Sequence, residues 1–141
     1  MNYEAIARND LEMFKDVIRK NKEAVHPTAL VFTDKTQVYV VMEFRSKEEE
    51  EIVLEKLAAA VRSIEATAVI LYGTAMTFIP AYGPDPAPLL FASIFVPGKE
   101  VYTIGQPYTV IEGEPIFGEE FNSSEKSISP WQVPAFWETS A

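Results

Sequence analysis

The chain has 141 residues and 15.8 kDa, 48% of them hydrophobic and 23% charged, a size and balance that suit one globular domain and exclude a fibrous repeat or wholesale disorder. Its 21 acidic against 12 basic residues leave a net charge of -9, which repels a phosphate backbone and argues against nucleic acid as a partner. With no cysteine in the chain, disulfides, thiolate nucleophiles and zinc-thiolate sites are excluded together.

Residues 3–22 read as an amphipathic helix. Tyr3, Ala7, Leu11, Phe14 and Ile18, with Ile6 and Val17 beside them, recur at the three and four spacing of one helical face. Asn2 suits the N-cap, and the acid-first pairs Glu4 with Arg8 and Asp16 with Lys20 suit the solvent side. His26-Pro27 then forces an extended exit, because proline pushes the residue before it out of the helical region. This opening carries charges where a secretory leader needs an apolar core, so a cytoplasmic location is expected.

Residues 28–33 and 37–44 read as a hairpin across Asp34-Lys35-Thr36, with Val38, Val40, Met42 and Phe44 on the face expected in the core. Ser46 and Glu49 have the spacing of a capping box, followed by a helix over residues 47–65 whose stripe is Val53, Leu57, Ala60, Val61 and Ile64. The run Ala68-Val69-Ile70-Leu71-Tyr72 lacks polar alternation and predicts a central strand covered on both sides. A break is expected near Gly73, after which Met76 to Ile79 either continue the strand or turn away, and a stiff proline-rich loop over 80–88. Residues 89–96 and 100–104 predict a second hairpin across Pro97-Gly98-Lys99, and 108–111 a further strand.

Residues 1–65 hold 10 of the 12 Lys and Arg, whereas all six glycines and nine of the ten prolines lie beyond residue 72. Each part alone has too few apolar faces to bury itself. The expectation is a single α+β domain of order α-β-β-α-β-β-β, with a mixed or antiparallel sheet of about five strands packed against two helices. Residues 1–118 form the core domain. Residues 119–141 form an extended C-terminal arm, part of the same domain or its oligomer interface.

The run His26-Pro27-Thr28-Ala29-Leu30-Val31-Phe32, the hairpin after it, the capped helix and the strand ending Leu71-Tyr72-Gly73-Thr74-Ala75-Met76 resemble a loose group of small uncharacterised bacterial and phage proteins. In that group the corresponding strand often ends in a Ser-Glu-Ala-Trp type sequence, from which Gly73, Thr74 and Met76 depart. The resemblance covers about residues 3–105, implies the same order of elements and brings no activity with it.

Residue chemistry offers few catalytic arrangements. His26, the single histidine, stands at a helix exit and could act as a base or ligand, or simply pack under the turn. Glu43 is a carboxylate in an apolar strand, with Arg45 close enough to explain it as a strand-end charge. Glu112 and Glu114 would share a strand face, with Glu119 and Glu120 following, but the ligand spacing of a calcium loop is missing and solvated edge charges explain them better. No glycine-rich phosphate loop precedes a helix. No metal or cofactor is expected, and no catalytic residue is assigned.

The C-terminal stretch supplies Trp131, Phe136 and Trp137 around Pro130 and Pro134. Such aromatic area prefers burial, so the arm either packs over its own domain or anchors in a neighbouring subunit. The preferred function is a noncatalytic interaction or structural module, in a bacterial or phage setting, that self-associates as a homodimer or larger assembly through a sheet edge and this arm, without membrane or nucleic acid. The alternative is a small-molecule binding protein or enzyme. Its pocket would lie between the sheet and the 80–88 loop, lined by Tyr72, Met76, Phe78 and Tyr82, with His26 or Glu43 as polar group.

Overall fold

The computed structural model describes residues 2–22, 24–78, 83–123 and 136. Two helices, α1 (Tyr3–Asn21) and α2 (Lys47–Ser63), flank one antiparallel sheet. Its strands are β1 (Thr28–Phe32), β2 (Gln37–Val41), β3 (Ala68–Thr77), β4 (Ala87–Phe95), β5 (Tyr102–Ile111), β6 (Glu114–Phe117) and β7 (Phe121–Ser123). They run in the order β2-β1-β3-β4-β5-β6, with β7 pairing β5. The chain is thus α+β, with two strands more than the five expected. No described helix is long and apolar enough to cross a membrane.

Each helix starts where its cap chemistry places it. The Asn2 side chain accepts from the Ala5 N–H, and Ser46 Oγ accepts from the Glu49 N–H, each satisfying an orphan donor of a first turn. Glu49 completes its side of the box one residue early, accepting from the Arg45 N–H at 2.6 Å. The Glu4–Arg8 pair forms as expected, but Asp16 pairs with Arg19 rather than Lys20. Both contacts sit in water, where such pairs are worth about 0.2–1 kcal/mol.

The sheet is covered on both faces, which explains why β1 is buried along its whole length. Leu30 and Phe32 of β1 join Ile70, Tyr72, Leu90, Ala92 and Ile104 under Ala7, Leu11, Phe14 and Ile18 of α1. Ala29 and Val31 point the other way and join Val69, Leu71, Leu89 and Phe91 under Leu54, Leu57, Ala58 and Val61 of α2. A strand sandwiched this way needs apolar residues at every position, and β3 meets that need from Ala68 to Tyr72.

Several strands differ from the sequence expectation. β3 does not break at Gly73; it pairs with β4 from Val69↔Phe95 through Gly73↔Phe91 to Thr77↔Ala87. Residues 108–111 are the continuation of β5 rather than a separate strand. Glu112 and Gly113 have φ of 53° and 81°, the two positive values of a tight hairpin turn, so Glu112 leaves the strand and shares no face with Glu114. The hairpin they make adds β6, and β7 seats on β5 because Gly105 has no side chain. A Cβ there would come within 2.6 Å of the Phe121 ring.

The largest difference is β2. Its Val38 and Val40 are not in the core, and all five of its residues are exposed; only Met42, just beyond it, is buried, with Phe44 partly so. Helix α1 lies over β3, β4 and β6 and α2 packs on side chains of β1 and β3. The alternating apolar residues of β2 therefore have neither helix above them.

Candidate functional site

Two features of the described residues concentrate unusual chemistry, and both involve β2. The first is a buried carboxylate. Asp10 stands on the apolar stripe of α1, is only 6% exposed, and accepts from Tyr39 Oη at 3.0 Å and Tyr72 Oη at 2.6 Å. Tyr72 comes from the middle of β3 and Tyr39 from the middle of β2, so one side chain ties the helix to a central strand and to the edge strand. A buried carboxylate without such donors would be costly.

The same arrangement fixes the phenols as proton holders. Burial, reinforced by the hydrogen bond to Asp10 and its negative charge, pushes the Tyr39 phenol up to about 12 and raises that of Tyr72 further. Neither hydroxyl therefore serves as a base at neutral pH. The chemical output of the triad is positional: it holds the strand carrying Tyr39 against the helix.

The second feature is the open edge itself. The bonds Thr33 N–H to Thr36 carbonyl and Met42 N–H to Pro27 carbonyl bracket the β1–β2 ladder and share its register. Bonded pairs alternate along an antiparallel ladder, so Val38 and Val40 point their backbone groups at β1. Gln37, Tyr39 and Val41 point theirs outward, beyond the sheet. The strand Gln37-Val38-Tyr39-Val40-Val41 contains no proline, glycine or charge, and Val38 and Val41 are 52% and 66% exposed. It has none of the devices that usually blunt an edge, apart from being short.

The opposite edge is managed differently. The Gly118 N–H to Pro107 carbonyl bond extends the β5–β6 register, which leaves Pro115 and Phe117 as the outward positions of β6. Proline has no N–H to offer there. Lys15 and Arg19 of α1 lie over the Phe117 ring, at 5.7 and 5.2 Å from its centre. Two acids expected as solvated edge charges have partners on α1 or its C-cap: Glu114 with the cap residue Lys22 at 2.8 Å and Glu120 with Arg8 at 3.3 Å.

The residues proposed for a pocket fall in different settings. Tyr72 is fully buried, its ring 5.1 Å from that of Phe14. Met76 and Phe78 are exposed at the far end of β3. His26 and Glu43 are both exposed, and the β1–β2 register, carried one step past Pro27 and Met42, sets them at the same level of the sheet. Tyr82 lies outside the described residues, as do Trp131 and Trp137. Phe136 is buried within its own chain, its ring 5.0 Å edge-on from that of Phe95, in the core on the α2 side.

Among the described residues no group of three or more His, Asp or Glu gathers to hold a metal ion. Asp10 is not among the residues that the sequence singles out, although it carries a signal: an acid in the stripe of Ala7, Leu11, Phe14 and Ile18 needs a donor, and tyrosines in neighbouring strands can supply one. Compared with protein-family models, with curated proteins and with solved structures, the chain finds no match in any of the three.

Proposed function

We propose that the chain is a noncatalytic interaction or structural module that self-associates through the open β2 edge of its sheet, with the aromatic C-terminal arm as a second contact element. The observation that carries this reading is the edge strand itself, apolar on both faces, with the backbone groups of Gln37, Tyr39 and Val41 directed away from the sheet. Strand addition would satisfy those groups and remove the exposed valines from water in one step. The Asp10 triad supports the reading, because it anchors the edge strand to the core at Tyr39 and so spares part of the ordering cost of association. Phe136 gives the arm a fixed point on its own sheet beside Phe95.

Val41→Pro tests this directly. The Val41 N–H points outward, so proline removes a donor from the free edge and leaves the bonds to β1 in place. Light scattering is expected to give twice 15.8 kDa for the unaltered chain and the single-chain mass for the variant, with the same far-ultraviolet circular dichroism. Equal masses for the two proteins would contradict the reading.

A further inference from the structure

We infer that the occupant of the β2 edge is β2 of a second copy, antiparallel, with Tyr39 on the two-fold axis and the turn residue Lys35 of each copy beside Glu43 of the other. The inference rests on the self-association reading above and adds the register. Only residues whose backbone groups point outward can form the bonded pairs of a new antiparallel ladder. Here those are Gln37, Tyr39 and Val41, so an odd-numbered residue must face an odd-numbered one, and registers in which Tyr39 faces Val38 or Val40 are excluded.

Three symmetric registers of substantial overlap remain, and the flanking charges separate them. With Tyr39 opposite Tyr39, Gln37 faces Val41 on both sides of the axis, giving about six main-chain hydrogen bonds. Val38 then faces Val40 across the closer, non-bonded pairs, so the exposed valines on the α2 side cover one another. At both ends Lys35, in the turn closed by the Thr33 N–H to Thr36 carbonyl bond, lies just beyond the ladder and beside Glu43 of the other copy. Shifting by two residues one way brings Lys35 near Arg45, a like-charge approach; shifting the other way sets Glu43 beyond the Thr33–Thr36 turn, with no strand residue opposite it. The central register alone uses the whole strand and matches the charges.

The local charges also explain how two chains of net -9 could meet here. Asp34, Lys35, Glu43 and Arg45 sum to zero around the strand, so the edge is a neutral window on an acidic molecule. In the two-fold arrangement the Asp34-Lys35 turn of each copy meets the Glu43 and Arg45 end of the other, so neither end opposes a like net charge.

The test is a charge exchange measured by sedimentation equilibrium at low salt. Lys35→Glu and Glu43→Lys each replace two attractive contacts per dimer by two repulsive ones, and each is expected to raise the dimer dissociation constant about tenfold. The double variant Lys35→Glu/Glu43→Lys restores opposite charges and should return to within about threefold of the unaltered chain. A double variant weaker than either single one would overturn the register while leaving self-association standing; an unaltered chain that stays monomeric at every concentration would overturn both. Crosslinking gives a second measurement that does not depend on charge. The chain has no cysteine, so Val38→Cys/Val40→Cys should form an oxidised dimer through directly opposite non-bonded positions, and Val38→Cys alone should not. Equal crosslinking by the single variant would contradict the register.

Discussion

Tyr72→Ala is expected to lower the free energy of unfolding by about 3–5 kcal/mol, the cost of removing a large ring from a packed site. That site is fully enclosed: the ring lies against Phe14 and between Thr28 and Ala92 of the neighbouring strands. Tyr72→Phe keeps the ring and removes only the hydroxyl that donates to Asp10 at 2.6 Å. Its expected cost is about 1–3 kcal/mol, the range for taking one donor from a buried charged acceptor. Urea unfolding followed by circular dichroism separates the two, and equal losses would mean that the hydroxyl, rather than the ring, holds α1 to the sheet.

Alkali tests the same triad without a mutation. In the unfolded chain both phenols ionise near their ordinary value of 10, whereas in the folded chain Tyr39 is held up to about 12 and Tyr72 higher still. Above pH 10 the folded state therefore keeps protons that the unfolded state has lost. The stabilisation is complete below pH 10 and is lost as pH rises from there through the folded values. The melting temperature should fall over that interval, and fall less steeply in Tyr72→Phe.

Phe136→Ala is expected to cost about 3 kcal/mol, less than a central core position because an arm can undock without unfolding the sheet. Its ring is almost wholly buried against Phe95, in the core that α2 covers. Because these partners belong to the same chain, the loss should be independent of protein concentration. Thermal melts of the variant and the parent at two widely separated concentrations check this. A variant that kept its stability and instead lost mass in solution would mean that the arm docks on a neighbouring copy.

The helices were legible because their signals are local. The stripe Ala7, Leu11, Phe14 and Ile18 and the box Ser46 with Glu49 need no knowledge of the rest of the chain. The unbroken apolar run of β3 likewise announced a strand covered on both faces. β2 departs from its expected burial for a physical reason: Val38, Val40 and Met42 alternate as a core-facing strand does, and alternation states that one face avoids water without stating what covers it. Here neither helix covers Val38 or Val40, which stay exposed, and cover begins only at Met42. The short β6 and β7 were hidden by the glutamates, glycines and proline around them, since a two-residue turn at Glu112-Gly113 and a seat at Gly105 depend on φ angles and contacts that pairing alone creates.

Of the site, Tyr72 stood out in the sequence as an aromatic at the end of an apolar run, but its partner did not. Asp10, one of eight charges of the first helix, is conspicuous only once the stripe is drawn and the acid is found inside it. Tyr39 alternates with Val38 and Val40 and so falls on the other face of its strand, where its hydroxyl reaches the helix. Long-range pairs of this kind, 29 and 62 residues apart, have no signature in spacing.

Amide hydrogen exchange in β2 tests the open edge most directly. Val38 and Val40 point their N–H groups at β1 and should be protected at every protein concentration. Gln37, Tyr39 and Val41 point theirs outward and should be protected in concentrated solution, where copies pair, and exchange freely on dilution. Exchange of those three amides at the same fast rate in concentrated and dilute protein would contradict the account.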